Sequence, residues 1–212
     1  MQVSNSTITT AMAQFRAGRG GAQAAAGRDD LTHVVLVGHS YIRRLDDFMK
    51  STGQMNLLLD GVEVQCMFSG GARLRPPGTT REMIDADRMH RPDIIFIHMG
   101  ENDLGRSPPP HILSGLLNFV NELAPLCSSH TVILGQLMHF PNNAHLDDAV
   151  DFINVRLSED LPPGHIFWRH RSGLSHGAYT YLADGTHLND AGQQRYWRSI
   201  RTIVSHVYHH RA

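Results

Sequence analysis

The sequence predicts an α/β protein, a three-layer sandwich with helices on both faces of a parallel sheet. From Leu31 onward, short β-branched apolar runs alternate with longer segments of helical periodicity, which is typical of this architecture. Four of the five runs are apolar nearly throughout, as expected of strands that are buried on both faces. The 212 residues, 41% of them hydrophobic, suffice for one domain with a sizeable core and fall short of two.

The elements follow one another in a regular order. Strands are predicted at 33–38, 62–68, 93–100, 131–140 and 165–170. Helices are predicted at 41–51, 79–89, 112–126, 146–158 and 190–208. The third helix follows "SPPP", and proline is favoured at a helix start. The last helix carries an apolar face made of Trp197, Ile200, Ile203, Val204 and Val207.

Residues 1–30 differ in composition from the rest of the chain. They are rich in Ala, Gly, Ser, Thr and Gln, and they cannot bury enough apolar surface to offset the entropy of ordering. We therefore predict a disordered tail at 1–30 and one domain at 31–212. Three arginines without an acidic residue before Asp29 leave a transit peptide as an alternative interpretation of the tail.

Composition excludes several classes of function. A net charge of −1 gives no field that would attract nucleic acid, so no nucleic-acid partner is expected. No apolar run approaches the roughly 18 residues of a membrane span, and no signal-peptide pattern opens the sequence. Cys66 and Cys127 lie in apolar segments, which favours core positions and an intracellular, reducing location. Phosphate-binding loops, dinucleotide fingerprints and zinc-type cysteine pairs do not occur, so neither cofactor nor metal is expected.

Ser40 is a candidate nucleophile at the carboxyl edge of the sheet. It follows Gly38 and His39 where the first strand turns into a helix, and ligands of α/β sheets bind at this edge. A serine hydroxyl needs a base, and the base needs an orienting acid. The segment "DGTHLND" supplies both in Asp184 and His187. Taken singly, the serine is more often a helix cap and the histidine more often a surface residue.

Two further loops at the same edge carry candidate oxyanion donors. "FSGGARL" after the second strand offers the backbone N–H of Gly70 or Gly71, and "MGENDL" after the third offers the amide of Asn102. Each alone is an ordinary turn residue. Together with a serine at the next strand end, they favour an oxyanion hole. We assign Gly70 because it directly follows Ser69.

These four blocks, "VLVGHSYIRRL", "FSGGARL", "IHMGENDL" and "DGTHLND", resemble those of the SGNH hydrolases, the GDSL-type esterases and lipases. "GHSYIRRL" and "DGTHLN" are also similar to SGNH domains of animal retrotransposon-type open reading frames. The resemblance implies a flavodoxin-like fold with a five-stranded parallel sheet in the order 2-1-3-4-5, and ester hydrolysis without a metal or cofactor. It assigns Ser40 as nucleophile, His187 as base and Asp184 as its orienter. It assigns the oxyanion hole to Gly70, Asn102 and the N–H of Ser40.

The chain departs from that pattern at one position. The first block of the family ordinarily reads Gly-Asp-Ser, and this chain has His39 in place of the aspartate. We expect different hydrogen bonding around the nucleophile, and the change need not abolish activity, because the aspartate is not a triad residue; whether His39 alters activity is left open.

A second serine lies in a literal nucleophile-elbow motif. Gly173-Leu174-Ser175-His176-Gly177 matches G-x-S-x-G, but an elbow precedes a helix, and "AYTYLADGTH" leaves no room for one. We expect Ser175 to lie in the loop that leads to Asp184 and His187.

The sequence therefore predicts a serine esterase that acts on acyl esters, short-chain or acetyl in type. Either a lipid or an acetylated carbohydrate would satisfy this chemistry. The alternative is a catalytically silent SGNH-like module that binds RNA or protein. Oligomeric state is left open.

Overall fold

The sheet has five parallel strands. A computed structural model describes residues 31–74, 91–170, 174 and 178–210. The strands are β1 (Thr32–Gly38), β2 (Val62–Phe68), β3 (Ile94–His98), β4 (Val132–Gly135) and β5 (Ile166–Trp168). They pair in the order β2-β1-β3-β4-β5, and every pairing is parallel. This confirms the predicted strand order.

Helices cover both faces of the sheet. They are α1 (Ser40–Thr52), α2 (Pro109–Leu123), α3 (Asp147–Asp160) and α4 (Asp190–His209). The predicted helix at 79–89 and the predicted tail at 1–30 lie outside the described residues. None of the helices in the described part of the chain is both long enough and apolar enough to cross a bilayer.

Four predicted elements, at 93–100, 112–126, 131–140 and 165–170, run past the ends of the observed ones, and for two of them the local reason is visible. The third predicted helix runs to 126, but α2 ends at Leu123 and a 3-10 turn follows, because Pro125 has no N–H to continue the ladder. The fourth predicted strand runs to 140, but β4 ends at Gly135. Beyond it, the N–H groups of Leu137 and Met138 donate to the side chains of Asn154 and Glu101 instead of to a neighbouring strand.

The core has one layer on each side of the sheet. Val35 and Val37 of β1 pack in the cluster that contains the buried faces of α2 and α3. Val34 and Leu36 pack in the cluster that contains those of α1 and α4. This alternation along one strand is what a sheet covered on both faces requires. Of the two cysteines, Cys127 is buried and Cys66 is half-buried, and both are free.

Gly38 ends β1 where the chain turns toward the first helix. A Cβ at this position would lie 2.5 Å from the carbonyl oxygen of His98 and would also collide with the side chain of Ile42. A backbone carbonyl cannot move aside as the end of a flexible side chain can. Only glycine therefore allows α1 to begin this close to the end of β3.

Gly38→Ala should lower the free energy of unfolding by roughly 1–3 kcal/mol, the usual cost of overpacking a filled site. Urea denaturation measures this. Gly70→Ala is the matched control, because a Cβ there meets no described atom within 4 Å. Equal stability of Gly38→Ala and Gly70→Ala would contradict this account.

Candidate active site

Three of the four sequence blocks meet at the carboxyl edge of the sheet. Ser40 is the first residue of α1, directly after β1. Ser69 and Gly70 follow β2, and Asn102 lies in a 3-10 turn (Glu101–Asp103) after β3. Because β1 lies between β2 and β3, these loops are neighbours. His39, and not Ser40, occupies the N-cap of α1, so capping does not explain the serine.

Hydrogen bonds join the loop after β2 to the turn after β3. The amide Nδ2 of Asn102 donates to the carbonyl of Ala72 at 2.9 Å, and the N–H of Leu74 donates to the carboxylate of Asp103 at 3.0 Å. Asn102 therefore has a fixed side-chain orientation. One of its two amide N–H groups is used in that bond.

The two glycines of the loop after β2 differ in conformation. Gly71 has φ +73°, in the left-handed region that favours glycine, so turn geometry explains it. Gly70 has no such requirement. Its assignment as an oxyanion donor stays a prediction.

Asp184 and His187 form the expected pair. His187 Nδ1 lies 2.8 Å from Asp184 Oδ2, while Asp184 Oδ1 accepts the backbone N–H groups of Thr186 and His187, both at 2.9 Å. The backbone and imidazole donors of His187, together with the Thr186 N–H, lower the pKa of Asp184 to about 2. The carboxylate is therefore ionised at neutral pH. Asn189 caps α4, so capping does not explain His187.

A tyrosine connects this pair to the nucleophile segment. The hydroxyl of Tyr41 donates to the carbonyl of Thr186 at 2.7 Å. Tyr41 follows Ser40 and Thr186 precedes His187, so the bond brings the candidate nucleophile and base segments together. Burial raises the pKa of Tyr41 well above its ordinary value, which keeps its hydroxyl a donor.

Beneath Ser40 lies a buried polar network centred on Glu101. Its carboxylate accepts bonds from His39 Nε2 and His98 Nε2, each at 2.7 Å, and from the N–H of Met138 at 3.0 Å. Tyr196 of α4 bonds His98 Nδ1 at 2.6 Å. His170 stacks on the ring of His98, with 5.7 Å between centroids.

The pKa shifts of Glu101, His170 and Tyr196 agree with a negative charge on Glu101 and neutral His170 and Tyr196 side chains. Burial alone would raise the pKa of Glu101, but the adjacent His98 and His39 outweigh it and hold that pKa well below its usual value. Burial and the neighbouring His98 hold the pKa of His170 well below its ordinary value, so His170 stays neutral. Burial raises the pKa of Tyr196 well above its usual value, so it stays protonated. The negative charge of the network thus resides on Glu101.

Sequence reasoning missed most of this network. It singles out His39 only as a departure from a motif, and it assigns no role to Glu101, His98, His170 or Tyr196. A histidine closing the otherwise apolar strand "IIFIH" is the one available signal. Ser175, the serine of the elbow motif, lies outside the described residues. Within the described ranges, no group of three or more His, Cys, Asp or Glu side chains could hold a metal ion.

Tyr41→Phe should lower the free energy of unfolding by about 1 kcal/mol and accelerate hydrogen exchange at the Thr186 and His187 amides, because the loop loses its bond to α1. Tyr208→Phe is the matched control, since its hydroxyl donates to the carbonyl of Asp60. That variant should leave exchange in the loop unchanged. Unaltered exchange in Tyr41→Phe would mean that the bond does not hold the loop.

Comparisons place the fold among known esterases. No protein-family model and no curated protein matches this sequence. A carbohydrate esterase family 3 structure from Talaromyces cellulolyticus superposes with a TM-score of 0.63 at 14% identity, covering 86% of this chain and 100% of that one. A GDSL-like lipase from Bacteroides thetaiotaomicron has a TM-score of 0.56 at 16% identity, covering 93% and 97%.

A mutant acetyl esterase with acetate ion is also similar, with a TM-score of 0.62 at 14% identity, covering 84% of this chain and 98% of that one. These likenesses and the strand order confirm, at the level of the fold, the resemblance that the four blocks indicated. The chain has the fold of the SGNH, or GDSL-type, hydrolases.

Proposed function

We propose that the protein is a serine esterase in which Ser40 is the nucleophile, His187 the base and Asp184 its orienter. One observation carries the proposal: the Tyr41–Thr186 bond joins the segment of Ser40 to the loop in which Asp184 and His187 are paired. A hydroxyl at the start of α1, with an imidazole and an ionised carboxylate paired in a second loop, are the components of a catalytic triad.

The reaction is an acyl transfer in two steps. Ser40 Oγ attacks the ester carbonyl while His187 Nε2 takes its proton, since Nδ1 is held by Asp184. The oxyanion that forms is stabilised by the N–H groups of Gly70 and Ser40 and by the amide of Asn102. His187 then protonates the leaving alcohol. Water, deprotonated by the same imidazole, releases the acid and regenerates Ser40.

The substrate that we propose is a small acyl ester, short-chain or acetyl in type. One structure of similar fold is described as an acetyl esterase, which supports a small acyl group, and another as a carbohydrate esterase, which supports a carbohydrate ester. An acetylated carbohydrate and a short-chain lipid ester present the same carbonyl chemistry. Activity against acetyl esters of a sugar and of a long-chain alcohol separates them, and esters of increasing acyl length measure the acyl preference.

Ser40→Ala should lose roughly 10³-fold or more of kcat on p-nitrophenyl acetate and butyrate, and it should no longer react with a fluorophosphonate probe. Ser175→Ala is the control and should retain both turnover and labelling. If Ser175→Ala loses turnover and labelling while Ser40→Ala keeps them, the nucleophile is Ser175 of the elbow motif. If the unmodified protein neither turns over esters nor takes the label, the silent RNA- or protein-binding module becomes the better explanation.

Asp184→Asn should lower kcat by roughly 10²–10⁴-fold, because the amide neither fixes the imidazole tautomer nor stabilises the imidazolium. Activity of the unmodified protein should fall on acidification, since the base must be neutral, while Asp184, with its pKa near 2, stays ionised. In Asp184→Asn the fall of kcat/KM on acidification should occur at lower pH, because an imidazolium is less stable beside an amide than beside a carboxylate. If kcat/KM of Asp184→Asn falls at the same pH as that of the unmodified protein, Asp184 does not interact with the base. The measurement is kcat/KM between pH 4 and 9.

A further inference from the structure

A second imidazole, which the proposed mechanism does not use, lies beside the candidate nucleophile. His39 Nδ1 is 3.5 Å from Ser40 Oγ, and His39 Nε2 is 2.7 Å from the carboxylate of Glu101. The three side chains form a line of hydroxyl, imidazole and carboxylate. The side chains of His39 and Glu101 are only 1% and 3% exposed.

The direction of the hydrogen bonds in this line follows from charge. An ionised carboxylate only accepts, so the proton between His39 and Glu101 is on Nε2. In a neutral imidazole the other nitrogen, Nδ1, is then an acceptor, and it faces the hydroxyl of Ser40. His39 can therefore orient that hydroxyl.

Burial excludes His39 from the role of base. A general base must pass its proton to the leaving alcohol and later take one from water. The side chain of His187 is 26% exposed and can do so, whereas that of His39 is sealed beneath the first turn of α1. Facing it in the buried site are the titratable groups of Tyr41, His98 and Glu101.

We propose that His39 is a positioning residue: Glu101 holds its ring, and the ring fixes the rotamer of Ser40 and couples the nucleophile to the turn that carries Asn102. The coupling is direct, because Glu101 immediately precedes Asn102 in that 3-10 turn. The bonds from His98 and Met138 fix the carboxylate from two other strand ends. This inference rests on the proposed esterase function.

The pair is also complementary, because the imidazole donates and the carboxylate accepts. An aspartate at position 39, as in the Gly-Asp-Ser pattern, would place a second carboxylate against Glu101 inside the protein. Two buried like charges in contact are strongly unfavourable. We therefore expect an aspartate in place of His39 to be tolerated only when Glu101 is substituted as well.

The first experiment tests the two ring nitrogens of His39 separately. His39→Gln keeps a donor at the place of Nε2 and removes the acceptor that faces Ser40. His39→Asn keeps a polar group near Nδ1 and loses the bond to Glu101. For His39→Gln we expect kcat and the rate of fluorophosphonate labelling to fall about 10-fold, within the usual range of catalytic positioning effects, with little change in KM or Tm.

Three outcomes decide the matter. The proposal is supported if kcat of His39→Gln falls as expected while the pH at which kcat/KM declines on the acid side is the same as in the unmodified protein. Wild-type kcat in His39→Gln, with only a lower Tm in His39→Asn, would mean that the pair is structural and would overturn the proposal. A loss as large as that of Ser40→Ala would make His39 the base and would overturn it as well.

Ser40→Ala in the same assay distinguishes this inference from the proposed function. If turnover does not depend on Ser40, the esterase mechanism fails whatever His39 does. If turnover depends on Ser40 and His39→Gln equals the unmodified protein, only the positioning role fails.

A second experiment uses thermal stability as its main readout. His39→Asp should lower Tm by several degrees, and adding Glu101→Gln should recover most of that loss, because the amide can donate to the new carboxylate. The double variant should also label faster than His39→Asp alone. Equal Tm values for His39→Asp and the unmodified protein would contradict this complementarity.

Discussion

The buried carboxylate of Glu101 is the group on which the geometry of this edge of the sheet depends. It accepts from His39 after β1, His98 at the end of β3 and the N–H of Met138 after β4. An uncompensated charge in this position would cost several kcal/mol, so folding must form these bonds together. The ends of three strands are thereby fixed relative to one another, and the segments that carry Ser40 and Asn102 begin at two of them.

The same network reaches the loop of His187, the proposed base, through the last helix. His98 bonds Tyr196 of α4, and α4 begins directly after the loop of His187. At that start, Asn189 accepts from the N–H of Gly192, and a side chain at Gly192 would collide with the carbonyl of Thr180. The loop is thus held at one side by α4 and at the other by Tyr41. Its position depends on the core beneath it rather than on the loop sequence alone.

The sequence predicted the architecture well and the interior of the site poorly, and the reason is physical. Continuous apolar runs indicate buried strands, and short blocks at their ends indicate where polar groups gather. β4 was predicted too long because the N–H groups of Leu137 and Met138 bond side chains 17 and 37 residues away along the chain. Such partners depend on which strands are neighbours. The pairing of Glu101 with His39, 62 residues apart, escaped prediction for the same reason.

The two histidine–carboxylate pairs of the proposed site differ in access to solvent. Asp184 is 46% exposed, and its low pKa comes from backbone and imidazole donors that remain effective at the surface. Glu101 is buried, and its low pKa depends on two histidines that offset the cost of burial. A base must exchange protons with substrate and water, whereas a positioning group must keep its protonation state throughout turnover. The accessible pair therefore suits proton transfer, and the enclosed pair suits orientation of the serine.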